Sequence, residues 1–281
     1  MTIAIGAEFD GGTVVCADTK IVATDGATSG GSKVSLSVTP KRMSYAIANA
    51  ADDGHAATML AGEMTSAACD SDNYGDLRIK LKATMTAWYS SYGLTKPPVL
   101  QFLLSCGGKA TASLLFCEPP NTVLSVSHVM AIGQGARPIE PIMKGLFWPI
   151  PKFGVGSALL RLAYLMQRAK SEEGSACGGN TTAVVVTKHG AFTFVEDEEM
   201  QRAEALASKV DDFLAGFRKQ LLSTDPKDAK AVDLKKHMKE VSKEAGLLTF
   251  SLDLLDRTGW RPKKHTSPMA GKDPELKDSQ E

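Results

Sequence analysis

The chain of 281 residues sets 32 lysines and arginines against 32 aspartates and glutamates, so its formal charge at pH 7 is zero, and that balance offers no footprint for nucleic acid or an acidic membrane surface. No apolar run approaches the ~20 residues needed to cross a bilayer, and the start lacks the basic flank and long apolar stretch of a secretion signal. Five cysteines, odd in number and without C-x-x-C spacing, point to a reducing compartment, so the expectation is a cytoplasmic protein with one large domain and an extension.

Residues 2–7 and 13–18 are rich in β-branched side chains and read as two short strands, with Phe9-Asp10-Gly11-Gly12 supplying turn chemistry between them. A hairpin closed in this way lays the end of its second strand beside the start of its first, which brings Asp18 next to Thr2. A second strand pair, 33–38 and 43–48, is joined by a Thr39-Pro40-Lys41-Arg42 turn and opened by Lys33. Apolar residues then recur at helical spacing over 50–61 and 74–92, the latter placing Leu77, Leu81, Met85 and Trp88 on one face. Lys96-Pro97-Pro98 breaks the pattern. Strands follow at 99–106, 110–117, 122–127 and 128–132, then helices at 139–146 and 157–170, then strands at 182–187 and 191–195. Strands, helices, strands, helices, strands is the order of an α+β fold built as a four-layer αββα sandwich over residues 2–196.

From Asp197 to Leu222 the sequence is a charged amphipathic helix with Ala203, Leu206, Val210, Phe213, Leu214 and Phe217 as its inner stripe. After a Ser223-Thr224-Asp225-Pro226 break, a Lys- and Glu-rich stretch near 229–245 continues a C-terminal helical extension over residues 197–250. The extension either caps the sandwich or joins a neighbouring subunit. Residues 261–281 hold few apolar side chains and read as a disordered tail whose lysines solvate it.

Thr2 stands directly behind Met1, and a small residue there normally permits removal of the methionine. The mature chain would then begin with a threonine whose α-amine and hydroxyl sit on adjacent carbons. An α-amine titrating near ~7.7–8.0 is able to take the hydroxyl proton directly or through water, which makes one residue both nucleophile and base. An ordinary first strand residue is the alternative for Thr2 taken alone.

Four features in register shift that reading: Thr2; Gly6; the F-x-G-G-x-V-V-x-A-D-T string from Phe9 to Thr19; and Lys33 at the start of the next strand pair. With them the chain resembles the β-type subunits of the 20S proteasome and their bacterial relatives with an N-terminal threonine, firmly over the first 65 residues and more loosely to about residue 195. The Thr2-to-Asp18 separation equals the family's, and that to Lys33 is one residue shorter across a Gly/Ser/Thr loop. The resemblance implies an N-terminal-nucleophile (Ntn) hydrolase fold and a threonine-type peptidase or amidohydrolase. In that chemistry Thr2 is the nucleophile, Lys33 places a positive charge beside the developing alkoxide, and Asp18 holds the lysine. A buried Lys–Asp pair with a structural role only is the alternative. The small-residue corner from Ala46 to Asp52 resembles the family's oxyanion corner, which implies the N–H of Ala48, or of Asn49, as donor and Ala46 as the small floor of the substrate pocket.

Two departures stand out. The family's G-S-G turn is Gly133-Gln134-Gly135 here, with Gln134 in place of the supporting serine. Its Asp-x-x-Ser-Gly-Gly string is Gly174-Ser175-Ala176-Cys177-Gly178-Gly179, so Gly174 replaces the aspartate and Cys177 the serine. Loss of such a carboxylate costs orientation of the amine; Glu172 and Glu173 are the neighbouring substitutes. Two classes follow, a threonine peptidase acting on peptide or unfolded protein within a homo-oligomeric ring or spiral, and a proteasome-like scaffold subunit of weak or lost activity. An ATPase partner is not written in the chain.

Nothing in the sequence implies a cofactor. His55, His128, His189, His237 and His265 are scattered without metal-ligand spacing. The Gly133–Arg137 stretch lacks the P-loop lysine and reads as a tight turn. Trp88, Trp148 and Trp260 lie too far apart for a stacking platform. Cys177, with no histidine near it in sequence, reads as a structural thiol.

Overall fold

A computed structural model describes residues 2–22, 28–39, 43–71, 73–91, 97–147 and 153–222, with the isolated residues 239 and 243. Its first element is the expected hairpin, β1 (Ile3–Phe9) and β2 (Gly12–Asp18), closed by Asp10-Gly11 with Gly11 at φ 121° and paired Ala4 to Ala17 and Phe9 to Gly12. Gly12 admits no side chain, since a Cβ there would lie 2.3 Å from the Val186 carbonyl oxygen. A short hairpin follows, β3 (Lys20–Val22) with β4 (Thr28–Gly30), where a Gly/Ser/Thr loop was expected. Next come β5 (Val34–Val38) and β6 (Ser44–Ala51), then α1 (Gly54–Cys69) and α2 (Tyr74–Ser91). A meander of β7 (Leu100–Gly108), β8 (Thr111–Glu118) and β9 (Thr122–Val126) leads to β10 (Val129–Gly133), α3 (Ala136–Phe147), α4 (Val155–Glu172), β11 (Thr181–Thr187), β12 (Phe192–Val195) and α5 (Asp197–Leu222).

Two antiparallel five-stranded sheets result, in the orders β10-β1-β2-β11-β12 and β5-β6-β7-β8-β9. Their central strands are buried on both faces and therefore read as continuous rather than alternating apolar runs. In β1 the alternate residues Ile3, Ile5, Ala7 and Phe9 pack with Ile139, Leu159, Leu162 and Met166 of α3 and α4. Ala4 instead joins Val15, Ala46, Ala48, Ala50 and Leu103 between the two sheets. Gly6 shares that inner face; a Cβ on it would lie 2.8 Å from Leu114 Cδ1. Tyr45 and Ile47 of β6 point the other way, into a cluster with Leu60, Met64, Leu77, Leu81 and Met85 of α1 and α2. Small residues thus face each other where the sheets meet, and large ones face the helices. At ~25 cal/mol per Å² of apolar area buried, this segregation supplies most of the driving force that orients both sheets.

Helix α1 starts at Gly54, later than its apolar spacing suggested, because β6 runs on to Ala51 and Asp53 caps the helix by accepting the N–H of His55 (2.9 Å) and Ala56 (3.0 Å). On α5, Ala203, Leu206 and Ala207 are buried, whereas Leu214 of the expected inner stripe is 40% exposed; the side chains of Phe213 and Phe217 lie outside the described residues. Docking of α5 is partly polar: Lys170 reaches Glu204 at 2.8 Å and Thr181 Oγ1 at 2.8 Å, and the Tyr164 hydroxyl donates to Asp211 at 2.9 Å. The expected turn residues 40–42, the Ser223–Pro226 break, most of the 229–245 stretch and the 261–281 tail lie outside the described residues. No helix among the described residues is long and apolar enough to cross a membrane, and all five cysteines are free thiols.

Candidate active site

Asp18 ends β2 with no exposed surface, and its carboxylate organises everything around the chain start. Oδ1 accepts the Lys33 ammonium at 2.8 Å and the Ile3 N–H at 3.1 Å, while Oδ2 accepts the Gly178 N–H at 3.1 Å. A buried carboxylate needs this saturation, since each unmet lone pair would carry a desolvation cost. Lys33, 6% exposed, also donates to the carbonyl of Lys20 at the start of β3. Burial pulls the Lys33 ammonium below its usual value, and the neighbouring Asp18 charge opposes that shift. The hairpin register brings Asp18 to the peptide following Thr2, and Lys33, just before β5, bonds the same carboxylate. The carbonyl of Lys20 went unforeseen, because a short Gly/Ser/Thr-flanked strand carries almost no strand pattern.

Thr2 is 7% exposed, and its hydroxyl is buried without a hydrogen-bond partner. Lys33 is bonded to Asp18, and no hydrogen bond joins its ammonium to the Thr2 hydroxyl. The Gly133-Gln134-Gly135 turn closes over this end of β1. Gly133, at φ +87° and donating its N–H to Gln101 Oε1 (3.1 Å), passes so close that a Cβ would sit 2.2 Å from the Thr2 carbonyl oxygen. Gly135 leaves room for Cys177 Sγ, which would lie 2.5 Å from a Cβ on it. Gln134 holds a buried side-chain oxygen that has no partner.

The 174–179 string is pinned by its backbone. Lys20 Nζ donates to the carbonyls of Gly174 (2.7 Å) and Ser175 (3.2 Å), and the Lys20 N–H donates to Gly178 (3.1 Å). Neither neighbouring glutamate is seen to replace the aspartate: Glu172 pairs with Arg168 at 2.8 Å, and Glu173 acts through its carbonyl, which accepts the N–H of Ala176 and of Cys177, each at 2.8 Å. Cys177 is buried in the apolar cluster beneath, and burial pushes its thiol up to about 11. That fits a packing thiol rather than a nucleophile.

The two backbone donors expected for an oxyanion are engaged elsewhere. Asn49 N–H donates to the Lys33 carbonyl at 3.1 Å, and its side-chain amide donates to the same oxygen at 3.1 Å. N–H directions alternate along a strand, and Asp52 N–H points to β7, bonding the Val99 carbonyl at 3.3 Å. Ala48 shares that direction and faces its partner Leu103 in the same ladder. Ala51 shares the direction of Asn49, toward the β5 edge, but β5 pairing ends at Ala48. Ala46 is fully buried between the sheets, opposite Leu36 and Ser105, and is absent from the cleft at Thr2.

That cleft, of about 540 Å³, is lined by Thr2, Ala50, Ala51, Asp52, Val99, Gln101, Gly133, Gln134 and Arg137. Asp52 and Arg137 are exposed, and neither has an ion-pair or hydrogen-bond partner for its side chain among the described residues. Neither was foreseen as a site residue; they come together only because the β6–α1 and β10–α3 corners meet at the same end of the two sheets. No group of three or more metal-ligating side chains exists among the described residues.

No protein-family model matches the chain, and no curated protein matches it in sequence. Solved structures do match it in shape. Anbu from Yersinia bercovieri, described as an ancestral β-subunit, superposes with a TM-score of 0.64 at 12% identity, covering 80% of this chain and 100% of that one. The Gly-1 mutant of Anbu from Hyphomicrobium sp. strain MC1 gives 0.63 at 14% identity, over 78% of this chain and 97% of that one. Anbu from Pseudomonas aeruginosa, solved as a helical assembly, gives 0.63 at 12% identity, over 80% and 99%. The chain therefore has the proteasome-like fold of Anbu, two antiparallel sheets with five helices among the described residues.

Proposed function

We propose that the chain is a threonine-type amidohydrolase or peptidase whose nucleophile is Thr2, freed at its α-amine by removal of Met1. The observation that carries this reading is the Asp18 carboxylate gripping both the Lys33 ammonium and the Ile3 N–H beneath a buried, unpartnered Thr2 hydroxyl. A buried hydroxyl left unpaired costs ~1–3 kcal/mol, a cost consistent with an atom kept free for chemistry. In the proposed reaction the amine takes the hydroxyl proton, Oγ1 attacks the substrate carbonyl, and the leaving amine departs with that proton. Water then hydrolyses the acyl-threonine ester. Lys33 stabilises the alkoxide by its charge, with Asp18 fixing its position. The Ala51 N–H, on the unpaired edge of β6 and lining the cleft, takes the oxyanion role first assigned to Ala48 or Asn49. Asp18, through Ile3, supports the chain start in place of the absent string aspartate.

The reading includes a four-layer arrangement over residues 2–196, supported by the three apolar clusters, with α5 opening a C-terminal extension. It also includes a homo-oligomer, supported by the helical assembly of Pseudomonas aeruginosa Anbu. Intact-mass measurement of the purified protein treated with a β-lactone or epoxyketone probe tests it. A chain lacking Met1 that carries one adduct at Thr2, lost in Thr2→Ala, is expected. Retention of Met1 in every molecule, or peptide cleavage that survives Thr2→Ala, overturns it.

A further inference from the structure

Among the described residues the lining of the Thr2 cleft carries one cation, Arg137; it is exposed, and its guanidinium has no partner among those residues. It stands at the start of α3, a helix of 12 residues, where the backbone N–H groups add their own positive field. Gln134 also lines the cleft and holds a buried side-chain oxygen without a partner. The lining also holds Asp52, likewise unpartnered among the described residues and not ion-paired with Arg137.

A guanidinium is a planar fork of five donors matched to a carboxylate. In a structural role it would be expected to bond a carboxylate or carbonyl of its own chain, as Arg168 does with Glu172 and Asp211. Arg137 does neither. The volume of about 540 Å³ falls in the range of small-molecule sites and suits a compact ligand. Asp52 sets a limit in the other direction, because its charge repels anionic groups anywhere but at the Arg137 end.

Building on the Thr2 reading, we propose that the cleft selects short amides that carry a free carboxylate, and that Arg137 is the specificity-determining residue that binds it. The substrate is then a small peptide with its own C-terminal carboxylate in the cleft, rather than an internal stretch of a long unfolded chain. Asp52 favours a protonated amine at the far end of the same molecule.

The test is made on Thr2→Ala, which has no nucleophile to turn the ligand over, so that it reads recognition apart from catalysis. Trialanine and trileucine, each as free carboxylate and as C-terminal carboxamide, are titrated by calorimetry at low salt. Charge-assisted hydrogen bonds of the expected kind correspond to ~10- to 100-fold tighter binding of the carboxylates. The preference should fall below about threefold in Thr2→Ala/Arg137→Ala, persist in part in Thr2→Ala/Arg137→Lys, and shrink as salt is raised. Equal affinity of the two forms, a preference that survives Arg137→Ala, or no binding of any of the peptides into the millimolar range overturns the proposal. The probe adduct at Thr2 in the wild-type chain is measured separately. An adduct without carboxylate preference refutes this inference alone, whereas carboxylate preference without an adduct refutes the nucleophile and leaves a binding cleft.

Discussion

Two surroundings meet at Thr2 and are built on opposite principles. On one side Asp18 and Lys33 are buried and bonded to each other, with further partners drawn from β1, β3 and the 174–179 string. On the other, Asp52 and Arg137 are exposed and unpartnered among the described residues. A charge that must stay put is buried and saturated, and the fold bears a desolvation cost to keep it so. A charge that is to meet a ligand stays in water until the ligand arrives. On the reading proposed above, the Asp18–Lys33 side serves stability as much as chemistry, and the Asp52 and Arg137 side serves recognition.

The largest effect that would break this contrast lies at the Asp18–Lys33 side. Asp18→Ala strands a buried ammonium and two backbone N–H donors; removing one partner of a buried pair costs ~3–5 kcal/mol, which for a chain of this size lowers Tm by about 10 °C or more. Calorimetric melting of the variant reads it, and a melting point within a degree or two of wild type would mean that the pair contributes little. Gly133→Ala comes next. A Cβ at φ +87° and 2.2 Å from the Thr2 carbonyl oxygen forces the turn or β1 to shift, at ~1–3 kcal/mol, and the probe adduct at Thr2 should slow together with the loss of melting temperature. The Asp52 and Arg137 side should respond differently: Arg137→Ala is expected to leave stability within about 0.5 kcal/mol, as measured by urea unfolding, while altering ligand preference.

A smaller effect sharpens the same contrast through pH. Lys33 is held below its usual value, so the folded chain binds fewer protons there than the unfolded chain just under pH 10.5, and this group makes stability rise with pH in that window. Cys177 is raised from 9.0 to about 11, so the folded chain binds more protons than the unfolded one between those values, and this group makes stability fall as pH rises through them. Cys177→Ala should therefore flatten the decline above pH 9 in a denaturation series, and Lys33→Met should remove the opposing rise. At pH 8 the native thiol of Cys177 should resist iodoacetamide and become reactive only on unfolding.

Much of this protein was legible in its sequence because its chemistry is local. The Asp10-Gly11 turn closes β1 onto β2 by its own dihedral preferences, and a closed antiparallel hairpin has one register when both faces are buried. The nearness of Asp18 to the peptide after Thr2 follows from that register, whereas Lys33, just before β5 of the other sheet, reaches Asp18 through tertiary packing. Apolar spacing likewise marked α2, α4 and the meander of β7 to β9, whose periods are intrinsic to one segment. Only tertiary structure decided the rest. The β3–β4 hairpin exists because Lys20 and Thr19 bond Gly178, Asn180 and Gly31, none of which a Gly/Ser/Thr run announces. Which way the Ala48, Asn49 and Ala51 N–H groups point depends on where β5 stops and β7 continues. Arg137 and Asp52 line one cleft because two sheets packed through small residues bring distant corners to the same end, and a contact between segments far apart in the chain is set by the burial of the whole core rather than by any pattern in either segment.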